Sequence, residues 1–150
     1  MEYSKITDEL FVGTTPGPSD YALLRELGVG LVINMRSWRG HPPGDSEPAV
    51  EYLRLRTFDS PLLPIPMAAL MRGAHSALRV MKSGGKVYIH CARGRHRSVA
   101  MAASILIARG WTPEQAMELI KERRRIADPR ASHIRPRILQ FARRWNRLAA

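Results

Sequence analysis

The stretch from Lys86 to Ala108 constrains this chain more tightly than any other. A short apolar run, Lys86-Val87-Tyr88-Ile89, leads into His90-Cys91-Ala92-Arg93-Gly94-Arg95-His96-Arg97-Ser98, and an alanine-rich helical stretch, Val99 to Ala108, follows. A strand that stops at a loop and restarts as a helix points the loop amides into one space, at the positive end of the helix dipole. That makes an anion site. The only cysteine of the chain stands in this loop. A thiol placed there has its pKa lowered, and the thiolate is the nucleophile. Arg97 adds a planar, permanently charged fork that fits phosphate oxygens two at a time. The combination suits attack by sulfur on the phosphorus of a phosphate monoester.

The loop has to offset about two negative charges of a phosphate while keeping another on sulfur. Backbone N–H groups from Ala92 to Arg97 do this only if they turn inward, and Gly94 is the residue suited to so tight a turn. Ala92, Arg93, Gly94, Arg95 and His96 are therefore candidate substrate-binding residues beside Cys91 and Arg97. Arg93, Arg95 and His96 allow two readings. They select a substrate with more than one phosphate, or they point outward and only raise the local potential. Ser98 is an N-cap candidate for the following helix.

The nonapeptide His90 to Ser98 resembles the phosphate loop of the cysteine-dependent protein tyrosine phosphatases of the small dual-specificity type. Ser4 to Gly13 is similar to the first strand of those domains, and Val32 to Arg36 to their second core strand. Thr57-Phe58-Asp59-Ser60-Pro61 lies where they carry an acid loop, 32 residues before the cysteine (91 − 59). The W-P-D form of larger tyrosine phosphatases is absent, and Phe58-Asp59-Ser60 stands there instead. The resemblance implies a phosphocysteine at Cys91, a proton donor at Asp59 that later orients water, a hydroxyl at Ser98 that hydrogen-bonds the sulfur, and an orienting role for His90, which joins the candidate substrate-binding residues on that ground. It implies a metal-independent phosphatase acting on phosphotyrosine, with phosphoserine and phosphothreonine as further substrates. Phosphoinositides and RNA 5′-phosphates are the alternatives on the same loop. A non-enzymatic phosphate-binding module and a rhodanese-type sulfurtransferase are the competing classes.

A length of 150 residues fits one domain, 1–150, with a single core. One cysteine excludes an intrachain disulfide and fits a reducing compartment. The first residues carry no apolar h-region, and Val99 to Ala108 is too short to span a bilayer, so a cytoplasmic monomer is expected. Net charge is +11, and Lys121 to Ala150 holds ten basic and two acidic residues. This basic region fits an anionic lipid or nucleic acid, or equally a solvated helix face. The expected partner is a phosphorylated protein. His41, His75 and His133 stand isolated, so neither metal nor cofactor is expected.

The pattern predicts a strand from Lys5 to Val12, a helix from Asp20 to Leu27 capped by Ser19, and strands at Leu31–Met35 and Tyr52–Arg56. Arg36 to Pro48 and Asp59 to Pro66 read as irregular, rich in Gly or Pro. Helices follow over Met67–Met81 and Ser98–Arg109. Another runs from a Thr112-Pro113-Glu114-Gln115 capping box to about Arg125, and the last begins near Arg135. The sum is an α/β domain with a small, mostly parallel sheet of four or five strands flanked by helices. Trp111 and Trp145 are expected as packing anchors.

Overall fold

A computed structural model describes residues 1–149. Two strands form at the amino end, where the residue types predict one. β1 (Tyr3–Thr7) and β2 (Leu10–Gly13) make an antiparallel hairpin. The expected strand Lys5 to Val12 breaks at Asp8-Glu9, where the Glu9 N–H donates to Thr7 Oγ1 at 3.2 Å. β3 (Val29–Arg36), β4 (Glu51–Thr57) and β5 (Lys86–His90) complete one sheet of order β1-β2-β5-β3-β4. All pairings except the first are parallel.

The helices are α1 (Tyr21–Glu26), α2 (Met67–Lys82), α3 (Arg97–Ala108), α4 (Pro113–Arg123) and α5 (Arg135–Ala149). A 3₁₀ turn, Pro18–Asp20, precedes α1 and absorbs Ser19, so serine does not cap this helix. The Asp20 carboxylate instead accepts the Gly17 N–H at 2.7 Å. α4 begins as its capping box predicts. Thr112 Oγ1 accepts from the Gln115 N–H, and Gln115 Oε1 accepts from the Thr112 N–H.

Side chains alternate across the sheet and sort into two apolar clusters. Leu10, Val12, Leu31, Ile33, Met35, Val87 and Ile89 face the large core under α2 to α5. Phe11, Val32 and Tyr88 face a smaller cluster with Tyr21 and Leu24 of α1. α3 is buried on nearly every side, which its run of alanines permits. Trp145 stacks on Phe141 at 5.6 Å and packs against the core. Trp111 differs from its expected role and lies exposed at the surface. β5 therefore runs through the middle of the sheet, and its carboxyl end, where ligands gather in open α/β sheets, leads straight into Cys91.

Candidate active site

The peptide from Cys91 to Arg97 joins β5 to α3. Its carbonyls are tied down away from the thiol. Arg124 Nη2 donates to Arg93 O at 2.9 Å, Arg124 Nε to Gly94 O at 2.8 Å, and the Asp128 N–H to Arg95 O at 2.9 Å. In a planar trans peptide, an outward carbonyl turns the next N–H the opposite way. The amides of Gly94, Arg95 and His96 are thus directed to the inner side of the loop. Gly94 sits at φ +65°, and a Cβ there would come within 2.8 Å of Arg124 and 2.9 Å of the Gly13 carbonyl. Both the conformation and the space call for glycine.

Cys91 Sγ lies 3.1 Å from Ser98 Oγ, and both side chains are buried. Burial pushes the thiol pKa up. The Ser98 hydroxyl and backbone N–H, the Arg97 charge and the Arg95 N–H outweigh that and hold it below its ordinary value. Ser98 is not the N-cap expected of it. α3 already begins at Arg97, with His96 before it, and the serine hydroxyl is turned to the sulfur. Arg97 Nη1 donates to Thr57 O at 2.8 Å. Its Nε is buried and has no partner among the described residues. Thr57 is turned inward where Arg56 adopts φ 48° and the β3–β4 register slips.

A cavity of about 140 Å³ opens over the thiol, lined by Asp59, Cys91, Ala92, Arg93, Arg95, His96 and Arg97. His90, grouped with the substrate-binding residues in the sequence reading, does not line it. Its ring is buried on the Tyr88 side of the sheet, and burial, then the Arg36 charge, push it down to about 3, so the ring is neutral. Gly94 is likewise buried, contributing backbone only.

Asp59 stands on the β4–α2 loop, which is fastened at both ends. Arg97 holds Thr57 O, and Arg137 holds Ile65 O through Nε at 2.9 Å and Nη2 at 2.8 Å. Between these anchors Asp59 accepts from two imidazoles, His96 Nδ1 at 2.9 Å and His133 Nε2 at 2.6 Å. Partial burial raises the Asp59 pKa, and the two histidine hydrogen bonds lower it further than that, for a net decrease. His133 is thus not isolated, because the α4–α5 connection carries it across to the acid loop. His96 also turns inward to this carboxylate, unlike an outward loop residue. Asp59, His96 and His133 together form a potential divalent-cation donor set, where none was expected from sequence spacing.

Arg124 escaped the sequence reading because it sits in a basic run, Arg123-Arg124-Arg125, that looks like a solvated face. It is 2% exposed and grips Glu2 with Nη1 at 2.8 Å and Nη2 at 2.7 Å. Nη1 also reaches Ser4 Oγ at 3.0 Å. Arg124→Met should lower unfolding stability by about 3 kcal/mol. It should also weaken inorganic phosphate binding by about tenfold. Thermal unfolding and phosphate titration check both, and unchanged phosphate affinity would show that the loop holds its shape without Arg124. Ser98→Ala removes a donor to the thiolate and should slow iodoacetate alkylation of Cys91 at neutral pH by about tenfold. The midpoint of the alkylation profile should move to higher pH, because the folded-state thiol loses what held its pKa down. An unshifted profile would remove Ser98 from that role.

Residues 10–144 match the family model described as "Dual specificity phosphatase, catalytic domain". Mouse dual specificity phosphatase 28 is 28% identical over 133 residues, covering 85% of this chain and 76% of that protein. Rat phosphatidylglycerophosphatase and protein-tyrosine phosphatase 1 is 40% identical over 101 residues, 65% of this chain. The match spans about half, 48%, of that relative's length. Crystal structures of PTPMT1, alone and in complex with PI(5)P, are 29% and 30% identical with TM-scores of 0.85 and 0.84. The first covers 99% of this chain and 98% of that one; the second, 99% of each. The match displaces the sulfurtransferase reading. No helix among the described residues is long and apolar enough to cross a membrane. With nine tenths of its length inside the family model and the loop built around Cys91 and Arg97, this chain belongs to the dual specificity phosphatase catalytic domain family.

Proposed function

We propose that this protein hydrolyses phosphate monoesters through a phosphocysteine at Cys91. The observation that carries this reading is the pairing of a thiol of lowered pKa with a buried arginine whose Nε lacks a partner. A buried unpaired donor is costly, and a bound phosphate oxygen satisfies it. With Nη1 committed to Thr57, the Nε edge of Arg97 is the side left to clamp the phosphate. Inward amides supply further donors, already oriented before the substrate arrives.

In the first step the Cys91 thiolate attacks phosphorus, the S–P bond forms, and the P–O bond to the leaving group breaks. Asp59 gives its proton to the departing oxygen. The imidazoles hold Asp59 ionised in the free protein. An arriving phosphate dianion adds negative charge beside it and favours the protonated form. In the second step Asp59 takes a proton from water as that water attacks phosphorus. The S–P bond breaks, the Ser98 hydroxyl steadies the leaving thiolate, and inorganic phosphate departs. No metal takes part in either step.

Phosphotyrosine in proteins, with phosphoserine and phosphothreonine, is one substrate class. A phospholipid monoester is the second, and it has the more specific support. Phe58, Leu62 and Leu63, exposed by 50, 87 and 53%, project from the loop that carries Asp59. Exposed apolar side chains beside a cationic pocket suit an amphiphilic substrate presented at an anionic surface. The relatives named phosphatidylglycerophosphatase and the PTPMT1 complex with PI(5)P agree with that class.

Cys91→Ser should abolish turnover while phosphate still binds, and residual turnover within about tenfold of the parent would remove Cys91 as nucleophile. Asp59→Asn should cost about a hundredfold on phosphotyrosine and far less on an ester of an acidic phenol, because only a basic leaving oxygen needs the proton. Equal losses on both esters would assign Asp59 a structural role. For the substrate class, the double change Leu62→Asp and Leu63→Asp should cut hydrolysis of a vesicle-borne phospholipid monoester by about tenfold or more. Hydrolysis of a soluble aryl phosphate should stay the same. A phosphotyrosine peptide turned over faster than any lipid, with lipid turnover indifferent to the change, would favour the protein reading.

A further inference from the structure

Asp59, His96 and His133 come from three separate segments: the β4–α2 loop, the phosphate loop and the α4–α5 connection. They bring one carboxylate oxygen and two imidazole nitrogens within 4.8 Å of one another. The rings cross edge to face, with centroids 4.8 Å apart at 71°, and each histidine side chain is only 17% exposed. Two imidazoles and one carboxylate are the protein ligands of an open zinc site, which leaves a fourth position for water or a substrate oxygen.

Metal-bound histidines have a second requirement, an acceptor behind the ring that fixes its tautomer. Asp128 stands on that side of His96, just outside hydrogen-bond distance. Its Oδ2 lies 3.7 Å from His96 Nε2, on the opposite edge of the ring from Asp59. With a metal on Nδ1, the ring proton sits on Nε2, facing that carboxylate. Asp128 is itself held in place, since its N–H donates to Arg95 O at 2.9 Å.

Ligand atoms around a tetrahedral zinc ion at about 2.0–2.1 Å stand about 3.3 Å apart. Asp59 meets the two rings through different oxygens, Oδ2 to His96 Nδ1 at 2.9 Å and Oδ1 to His133 Nε2 at 2.6 Å, so these contacts need to open by less than about 1 Å and the imidazole nitrogens, within 4.8 Å of each other, need to close by about 1.5 Å at most. The Asp59 side chain, 40% exposed, has the freedom to do so. Arg93, Arg95 and Arg97 line the same pocket and oppose a dication. The ion has to gain from imidazole bonding, which selects Zn²⁺ over Mg²⁺ or Ca²⁺.

We infer that Asp59, His96 and His133 form a Zn²⁺ site on the rim of the phosphate pocket, and that an ion bound there silences the enzyme by occupying the Asp59 carboxylate. The binding is independent of the proposed mechanism. The inhibition rests on the reading of Asp59 as the proton donor.

The test is calorimetric titration of the chain with Zn²⁺, and Co²⁺ titration followed by visible absorption. The parent is compared with His133→Gln, Asp128→Asn and Cys91→Ser, each checked for its fold by circular dichroism. A single equivalent should bind the parent. His133→Gln should weaken binding by more than about a hundredfold and Asp128→Asn by about tenfold. Cys91→Ser should bind as the parent does, and the Co²⁺ complex should lack a thiolate charge-transfer band. No binding to the parent, binding that survives His133→Gln, binding lost in Cys91→Ser, or a thiolate band would each overturn the site. Zn²⁺ should inhibit phosphotyrosine hydrolysis, where the leaving oxygen needs the Asp59 proton, reversibly by chelator, and His133→Gln should escape that inhibition. Binding without inhibition would keep the site and overturn the silencing. A chain that never turned over a phosphate ester would overturn the mechanism and leave the calorimetric result standing.

Discussion

Three carbonyls, those of Arg93, Gly94 and Arg95, are held facing away from Cys91, and the rest of the site depends on it. A short loop that aims its amides at an anion must bond its carbonyls elsewhere, since buried polar groups left unpaired cost stability. Here the acceptors are served by one buried guanidinium and one backbone N–H, both from the segment that follows α4. The strand before the loop and the helix after it set where the loop starts and stops. Arg124 and Asp128 decide which way it faces.

The same economy joins the loop to its surroundings. Arg97 uses one edge to hold Thr57 and leaves the other for substrate, so the residue that clamps phosphate also positions the segment bearing Asp59. Arg137 holds the far end of that segment at Ile65. The connection before α5 adds His133, and the phosphate loop adds His96. Asp59 is thus fixed by groups that all come from the second half of the chain, His96, Arg97, His133 and Arg137, although its own loop, with three prolines, has little regular structure.

What could be read from residue order is what local rules control. The strand-loop-helix around Cys91, the Thr112 capping box, the buried run of β3 and the irregular Asp59 to Pro66 segment all follow from neighbours within a few positions. Failures came where a distant segment decides. His133 looks isolated because its partner lies 74 residues away. Arg124 looks like one of many surface arginines, and only the packing of α4 against β1 shows that it is enclosed. Even the hairpin at β1 and β2 follows this logic, since Val87 bonds back to Glu9 and helps fix where the turn must fall.

The grip of Arg124 on Glu2 gives the first strand a mechanical meaning. Glu2 and Ser4 lie at the edge of the sheet, yet their side chains share a guanidinium with the phosphate loop. A single side chain thus links the amino end to the carbonyls of Arg93 and Gly94. Residues at the amino end and the phosphate loop, 91 positions apart from Glu2 to Arg93 (93 − 2), thus share one buried guanidinium as their common partner.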